Sequence, residues 1–384
     1  MIITIVADVF GMANNGTTIA AIHLIEALTK AGHTVRVLCP DEEKKSRKDY
    51  FVVPTLNFGP LQPIVDHNGV VLAKPDGSTV QKALEDCDEV HIMMPFILGR
   101  VAVKAANRMG IPVSAGFHVQ AENVTAHFFN LIKSERVNHW VYLNFWNYFY
   151  RYVDTIHYPT QFIRDEFERN IHHKTSGYVI SNGVSKDFRP LPVQREPQYQ
   201  GKFVILCTGR YSKEKRQVLL IKAASLSKHK EDLQLVFAGE GPRLKEMQKC
   251  AAKCHLSPEY RFFDRAGLAK MINQADLYVH TSQIEIEAIS CLEALSCGVV
   301  PVINDSPKSA TRSFALSEKN LFKLNDFHDL AEKIDYWFEH PEEKKKCAQE
   351  YASYCRQFDF DVCMEKMVGM IEKTAAIKKK KKDR

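Results

Sequence analysis

The stretch Thr281–Gly298, TSQIEIEAISCLEALSCG, decides how the second half of this chain folds. It follows the apolar run Leu277-Tyr278-Val279, which is typical of the end of a buried strand. From Ile289 apolar residues recur at helical spacing, and the closing glycine is a stop signal, so the pattern predicts strand, loop and helix in succession. Glu285 then lies in the loop, and Glu293 lies on the helix.

This loop and helix start predict a ligand site. Free amides and the positive end of a helix dipole suit a phosphate. The carboxylates of Glu285 and Glu293 only accept hydrogen bonds, so they suit the hydroxyls of a sugar and a ribose. A pair of glutamates at this spacing is also compatible with solvated surface charges, and we expect Glu287, between them, to be exposed.

Length and composition favour two α/β domains. The chain has 384 residues, of which 45% are hydrophobic and 26% charged, as in folded soluble proteins. No apolar run reaches the roughly 20 residues of a membrane span. The start, MIITIVADVFG, indicates a buried first strand rather than a signal peptide. Ten cysteines without CxxC or Cys/His spacing favour a reduced, cytoplasmic protein without a metal site.

Most of the net charge of +6 lies in the last residues, where Lys378–Lys382 supply five positive charges. Such a block is compatible with a solvated end, a nucleic-acid patch or an anchor to anionic lipid. Because no recognised nucleic-acid module accompanies it, we do not expect nucleic acid as a partner.

The first half begins as a βαβ unit. Met1–Val6 is a predicted strand, a helix opens at Gly16, and His33–Cys39 is the next strand. The G-x-G-x-x-G fingerprint is missing, which disfavours a hydride-transfer enzyme. Gly16 either permits close approach by a ligand or is a simple turn glycine. His118 follows a later predicted strand, at the edge where open parallel sheets bind ligands, and is either an active-site or a structural histidine.

The segment His127–Tyr158 is rich in aromatic side chains interspersed with Lys133, Arg136 and Arg151. Aromatic residues mixed with cations are typical of a membrane interface or a lipid-binding groove. An ordinary packed helix pair is the alternative.

A second βαβ series begins at Phe203, after a stretch rich in Pro and Gln. The predicted organisation is therefore an N-terminal domain, a linker, a C-terminal domain, a helix that crosses back to the N-terminal domain, and a polybasic tail, at residues 1–187, 188–202, 203–355, 356–377 and 378–384. In the loop RYSKEKR, Arg210 and Lys215 follow the first strand of the second series. Two cations there can neutralise a diphosphate as it leaves.

Together these segments resemble the family 4 glycosyltransferases, of GT-B fold, over nearly the full length of the chain. The matching motifs, in order, are AGHTVRVLCP, DEVHIMMPF, GIPVSAGFH, VISNGV, GRYSKEK, FAGEGP and EIEAISCLE. The resemblance implies an α/β protein of two doubly wound Rossmann-like domains that face each other across a cleft, with the acceptor bound by the N-terminal domain and the nucleotide sugar by the C-terminal domain.

The resemblance also implies roles for individual residues. The diphosphate would be held by Arg210 and Lys215, the ribose by Glu293, and the transferred sugar by Glu285, while His118 would contact the sugar or position the acceptor. The implied catalytic residues are His118, Arg210, Lys215 and Glu285. The implied donor-binding residues are Gly16, Arg210, Lys215, Glu285, Ala288, Ile289, Ser290 and Glu293. The family retains anomeric configuration, with the departing phosphate as base, so no protein nucleophile is needed. Because two cations can neutralise the diphosphate, no metal or other cofactor is expected.

The chain departs from the family pattern around the sugar pocket. Asn15-Gly16 replaces Gly-Gly, Ile286-Glu287-Ala288 replaces Gly-Phe-Gly, and PVINDSPKSAT replaces a Gly-rich segment. These changes leave the donor sugar open.

The aromatic segment and the lysine tail suggest a lipid acceptor, as in the diacylglycerol glucosyltransferases of this family. The hypothesis is glucosyl transfer from UDP-glucose to diacylglycerol by a cytoplasmic protein held peripherally at the inner face of the membrane. The alternatives are a soluble sugar or glycan acceptor, or a non-catalytic sugar-nucleotide binder.

Overall fold

The structure, a computed structural model, describes residues 1–10, 16–56, 72–122 and 134–377. The lysine tail, Lys378–Lys382, and the beginning of the aromatic segment, at 127–133, lie outside these ranges. The chain forms two compact units: Met1–Asn182 with the chain from Cys363 onward, and Gly183–Val362. In the described part of the chain, no helix is both long and apolar enough to cross a bilayer.

The first unit contains a parallel sheet that is seven-stranded over the described residues, in the order β3-β2-β1-β4-β5-β6-β7. Its strands are β1 Ile2–Val6, β2 Thr34–Cys39, β3 Tyr50–Val52, β4 Glu89–Ile92, β5 Val113–Gly116, β6 Thr155–Tyr158 and β7 Gly177–Val179. The helices between them are α1 Gly16–Lys30, α2 Gly77–Leu84, α3 Ile97–Met109, α4 Glu135–Tyr148 and α5 Gln161–Ile171.

The second unit contains a parallel sheet of six strands in the described residues, in the order β10-β9-β8-β11-β12-β13. Its strands are β8 Phe203–Thr208, β9 Leu233–Ala238, β10 Glu259–Arg261, β11 Leu277–His280, β12 Pro301–Asn304 and β13 Leu321–Phe322. The helices are α6 Val218–Leu226, α7 Leu244–Lys253, α8 Arg265–Ile272, α9 Ile289–Ser296, α10 Phe327–Glu339 and α11 Pro341–Tyr354. The last helix, α12, is Phe360–Ala375, and it belongs to the first unit from Cys363 onward.

The division between the units differs from the predicted one. The change of unit falls at Asn182 and Gly183 rather than in a linker at 188–202. Phe188 and Tyr199, within that predicted linker, are buried in the core of the second unit. The Pro- and Gln-rich composition suggested a linker, but its two aromatic side chains are part of a packed core.

In each sheet the strand order changes direction once, and open parallel sheets bind ligands at such a point. In the first unit the reversal lies between β1 and β4, and in the second between β8 and β11. At such a switch point the loops that follow the two strands diverge to opposite faces and leave a crevice. The loops after β8 and β11 contain the predicted residues Lys215 and Glu285.

The described part of the aromatic segment is largely core. Phe117, fully buried after β5, has rings from this segment and from neighbouring elements within 6.5 Å of its own centroid: Tyr142, Phe145, Tyr150, Tyr158 and Phe167. Three other aromatic side chains of the segment face outward, Trp140, Tyr148 and Tyr152. The segment therefore supplies both a packed aromatic cluster and three exposed aromatic side chains.

We expect Phe117→Ala to destabilise the first unit by about 3–5 kcal/mol, because it leaves a large cavity among these rings. Trp140→Ala removes an aromatic side chain that is 62% exposed, and we expect a change of about 0.5 kcal/mol or less. Urea unfolding of both variants measures the difference. Equal stabilities would contradict the placement of Phe117 at the centre of this core.

Candidate functional site

The loop after β8 is supported by the turn after β9. The amide of Tyr211 donates to the carbonyl of Glu240 at 2.8 Å, and the Tyr211 hydroxyl donates to the carbonyl of Phe237 at 2.8 Å. A Cβ at Gly239 would lie 2.2 Å from the Gly209 carbonyl oxygen, and one at Gly241 would lie 2.6 Å from that of Tyr211. The FAGEGP turn thus needs its glycines because the β8 loop packs directly against its backbone.

The loop after β11 holds the same β8 loop from its other side. The Thr281 hydroxyl donates to the carbonyl of Lys215 at 2.6 Å, and the amide of Gln283 donates to the carbonyl of Glu214 at 2.8 Å. These bonds bring two loops together that lie about 70 positions apart in the sequence. Backbone contacts therefore fix the positions from which the Lys215 and Glu285 side chains extend.

Lys215 and Glu285 form an ion pair in which the Lys215 ammonium donates to Oε1 of Glu285. The side chains are 20% and 12% exposed, so the pair is well shielded but open to a ligand. Burial acts to raise the pKa of Glu285, but the charge of Lys215 and the nearby His280 outweigh it and lower the pKa to about 2. Burial acts to lower the pKa of Lys215, but the nearby carboxylate of Glu285 raises that pKa above its ordinary value.

The last residue of β12 and the segment that follows it support the Glu285 loop. Asn304 donates through Nδ2 to the carbonyls of Thr281 and Ser282, at 3.2 and 3.3 Å. The amide of Ala310 donates to the carbonyl of Glu285 at 2.9 Å. The departure of PVINDSPKSAT from the family pattern thus coincides with a set of contacts that hold the backbone of the loop.

Glu287 is buried, and the expectation that it would be exposed is wrong. It lies in the same loop as Glu285, whose backbone forms a bridge with that of Ser309. Tertiary packing of this loop against the segment after β12, which local sequence does not encode, explains the burial.

Helix α9 begins at Ile289, as predicted, and follows Ala288 in a left-handed conformation with φ of 58°. Within the described ranges, the amides of Ile289 and Ser290 have no hydrogen-bond acceptor. This helix start therefore presents two free donors beside the loop that ends in Ala288, an arrangement that suits an anion. Glu293 lies one turn further along α9.

Glu293 and Arg210 differ in environment. Burial raises the pKa of Glu293 to about 7, and the positive charge of Arg265 opposes the rise. No described residue donates a hydrogen bond to the Glu293 carboxylate, which leaves it available to hydroxyl donors. The Arg210 side chain is exposed, so of the two predicted cations only Lys215 is held in place by a carboxylate.

The remaining predicted residues, His118 and Gly16, belong to the first unit. Gly16 is the first residue of α1. The half-buried His118 ring lies over Gly116, where a Cβ would approach His118 Nε2 to 2.4 Å. It also makes an edge contact with His157, with ring centroids 5.4 Å apart. Burial, and the neighbouring His157 and His91, hold the pKa of His118 well below its usual value, so the ring is a neutral imidazole.

Two buried histidines, His91 and His157, flank His118. His91 Nδ1 lies 2.8 Å from the Ser114 hydroxyl, and His157 Nε2 lies 2.7 Å from the carbonyl of Ile180. Because a carbonyl only accepts, His157 carries its proton on Nε2. These histidines are uncharged, so this edge of the sheet offers neutral hydrogen-bonding groups rather than fixed charge.

In the residues that the structure describes, His, Cys, Asp and Glu side chains form no group of three that could hold a metal ion. The second unit thus contains a lysine–glutamate pair, an exposed arginine, a free helix start and an unpaired carboxylate. Sequence reasoning missed His280, whose ring lies 3.4 Å from Glu285. Its only sequence signal is a polar residue at the end of an apolar strand.

Comparison with known proteins gives matches over both halves of the chain. Residues 14–188 match the profile described as "Glycosyltransferase Family 4", and residues 191–353 match "Glycosyl transferases group 1". The alpha-monoglucosyldiacylglycerol synthase of Streptococcus pneumoniae is 23% identical over 296 residues, which cover 73% of this chain and 66% of that protein.

Solved structures of similar fold include Anabaena Alr3699/HepE in complex with UDP and glucose. That structure has a TM-score of 0.75 and 16% identity, and the match covers 97% of this chain and all of the other. The catalytic domain of the cholesterol-alpha-glucosyltransferase from Helicobacter pylori is 46% identical over 40% of this chain and 96% of its own, with a TM-score of 0.39. This last match is partial and supports no inference about the fold.

We expect Ala288→Gly to stabilise the second unit by roughly 1 kcal/mol, because a left-handed conformation is strained for alanine and not for glycine. The matched control is Ala269→Gly, at a buried helical position, which should be destabilising by about 1 kcal/mol. Thermal unfolding of the two variants gives the comparison. A loss of stability in Ala288→Gly would contradict the left-handed conformation at this position.

Proposed function

Because this chain belongs to the family 4 glycosyltransferases of GT-B fold, we propose that it transfers glucose from UDP-glucose to a membrane lipid, with diacylglycerol as the first candidate. The chain is a glycosyltransferase, and the identities of the donor and the acceptor are the proposal. The main observation in support of a nucleotide-sugar donor is the Lys215–Glu285 pair at the switch point of the second sheet.

The pair suits a nucleotide diphosphate sugar because it offers opposite charges to two different parts of that molecule. The Lys215 ammonium can leave Glu285 for the donor diphosphate, which carries more negative charge than a carboxylate. Glu285 is then free to accept from hydroxyls of the transferred sugar. The exposed Arg210 would add a second cation to the diphosphate.

The start of α9 would complete the donor site. The free amides of Ile289 and Ser290, after Ala288, would donate to phosphate oxygens. Glu293 would accept from the ribose hydroxyls. Hydroxyl donors stabilise the ionised carboxylate, so donor binding should lower the pKa of Glu293 from its value of about 7.

The proposed reaction retains anomeric configuration and needs no protein nucleophile or metal ion. The bond between the anomeric carbon and the phosphate oxygen breaks, and its electron pair stays on the phosphate. The acceptor hydroxyl oxygen forms the new bond on the same face of the sugar, and its proton passes to the departing phosphate. Lys215 and Arg210 would stabilise the charge that develops on that phosphate.

In the first unit, His118 would contact the sugar or position the acceptor as a neutral imidazole. A neutral ring can both donate and accept, which suits a hydroxyl group. Gly16, at the start of α1, would allow close approach of the donor to the backbone.

Two observations support a lipid acceptor. One relative is a synthase of monoglucosyldiacylglycerol by name. In the first unit, Trp140, Tyr148 and Tyr152 are 62%, 57% and 45% exposed, and the guanidinium groups of Arg100 and Arg151 lie over the rings of Tyr148 and Tyr152. Aromatic rings with nearby cations match the chemistry of an anionic bilayer surface.

We therefore propose that the protein lies peripherally on the inner face of the cytoplasmic membrane. The exposed rings of Trp140, Tyr148 and Tyr152 would insert at the level of the lipid head groups, and Lys378–Lys382 would add about 1 kcal/mol for each lysine near an anionic surface.

The first test is transfer of labelled sugar from UDP-glucose, UDP-galactose or GDP-mannose to vesicles that contain diacylglycerol or a sterol, with a soluble sugar as a third acceptor. We expect label from UDP-glucose in the lipid phase with diacylglycerol, at a rate that a metal chelator does not change. We expect Glu285→Gln to reduce the rate on the order of 10²-fold, since it removes the negative charge of the carboxylate that would accept hydrogen bonds from the sugar hydroxyls.

The matched control is Glu246→Gln, which removes an exposed carboxylate paired with Arg243 in the same unit, and which should leave transfer unchanged. Label that stays in the aqueous phase would assign a soluble acceptor. Loss of activity on chelation would overturn the metal-independent reaction.

The membrane proposal predicts weaker binding to anionic vesicles when Trp140 and Tyr148 are both replaced by Ala, and again when Lys378–Lys382 are removed. The aromatic change removes interfacial contacts, while the loss of lysines should also make binding less dependent on salt. Sedimentation with phosphatidylglycerol vesicles measures both. The control is Phe262→Ala, an aromatic residue of the second unit that is 68% exposed. Unchanged binding in both variants would contradict the membrane location.

A further inference from the structure

Glu285 is the end of a buried chain of polar side chains that begins on β8. Thr208 Oγ1 lies 2.8 Å from the Tyr278 hydroxyl, which lies 3.2 Å from His280 Nδ1. His280 Nε2 in turn lies 3.4 Å from Glu285 Oε1. All three residues before Glu285 are at most 5% exposed. This series of polar side chains thus runs through the interior of the second unit, from β8 to the edge of the site.

The protons along this chain have one consistent arrangement. Glu285 is ionised, because Lys215 contacts it and its pKa is about 2, so it only accepts hydrogen bonds. His280 Nε2 lies 3.4 Å from Oε1 of Glu285 without hydrogen-bond alignment, and no described residue is its hydrogen-bond partner, so the negative charge of Glu285 favours a proton on Nε2. His280 Nδ1 then accepts from the Tyr278 hydroxyl, which leaves Thr208 to donate to Tyr278.

His280 holds this proton as a neutral ring. Burial lowers the pKa of His280, and the charge of Lys215 opposes protonation further, while Glu285 acts in the opposite direction. A neutral imidazole with its proton on Nε2 directs that N–H group towards the carboxylate of Glu285.

Both contacts to Glu285 are made at the same oxygen. Lys215 and His280 each approach Oε1, and within the described ranges Oε2 has no hydrogen-bond partner. Oε2 is therefore the atom that is free to accept from a ligand. If Lys215 moves to the donor diphosphate, His280 is the contact that remains on Oε1.

We propose that His280 is a positioning residue, which holds Oε1 of Glu285 through its Nε2 proton so that Oε2 faces the hydroxyls of the transferred sugar. Tyr278 and Thr208 fix the tautomer of His280 from behind. The proposal rests on the proposed glycosyltransferase site and adds to it a residue outside the motifs that resemble the family.

Two substitutions separate positioning from folding. His280→Leu removes the donor, and we expect kcat to fall on the order of 10²-fold, since a small displacement of a group that orients substrate has that effect. The inhibition constant of UDP should change less than threefold, because UDP lacks the sugar whose hydroxyls would donate to Glu285. His280→Gln places an amide donor near the position of Nε2, and we expect it to restore kcat to within about tenfold of the wild type.

The matched control is His229→Leu. His229 Nε2 lies 2.9 Å from Glu339 in the same unit, at the surface and away from the site, and its loss should leave kcat unchanged. Equal kcat in the wild type and His280→Leu would overturn the proposal. Equal losses in His280→Leu and His280→Gln, with UDP affinity intact, would also overturn it, because the amide donor would then have no effect.

The tautomer gives a readout that does not require turnover. In protein labelled with ¹⁵N-histidine, two-bond correlation spectra should show a neutral ring with its proton on Nε2 whose signals disappear in His280→Gln, while those of His157 remain. A ring protonated on Nδ1, or a charged ring, would contradict the chain of donors. If the wild type transfers no sugar while this tautomer is observed, the proposed function fails and the assignment of the His280 proton stands.

Discussion

The buried contact between Lys215 and Glu285 is the interaction on which the second unit's site depends. A lone lysine or glutamate at this depth would lose several kcal/mol of hydration, and each partner makes the burial of the other tolerable. The contact exists only because β8 and β11 are neighbours in the sheet, although their loops lie about 70 positions apart. Strand order, rather than local sequence, therefore creates the pair.

The surrounding contacts hold the backbone of both residues in place. The glycines of the FAGEGP turn let the Lys215 loop pack on the backbone behind it, and Thr281 holds the carbonyl of Lys215 itself. The segment after β12 holds Glu285 through its backbone. Since these supports act on backbone atoms, the two side chains stay free to exchange partners, which a site that alternates between empty and donor-bound states requires.

Local periodicity was enough to predict the elements that carry the site. The strand, loop and helix between Leu277 and Gly298 follow the predicted order, and α9 begins at the predicted Ile289. Two features of the loop between them depend on distant partners and escaped prediction. Glu287 is buried by packing against the segment after β12, and Lys215 and Glu285, each predicted for a different part of the ligand, contact each other.

The aromatic segment shows the same limit. Its helical spacing could not separate the rings that pack on Phe117 from those that face outward, because Phe117 belongs to another part of the chain. His280 is the clearest case: at the end of LYVH it had no distinguishing pattern, and its importance arises only from Glu285 on one side and Tyr278 on the other.

The most direct test of the account is a crystal structure of the protein with UDP-glucose bound. The account predicts the diphosphate between Lys215 and the amides of Ile289 and Ser290, with Lys215 released from Glu285 and a glucose hydroxyl within hydrogen-bond distance of Glu285 Oε2. A nucleotide sugar bound elsewhere, or one bound here with the Lys215–Glu285 contact intact, would contradict it.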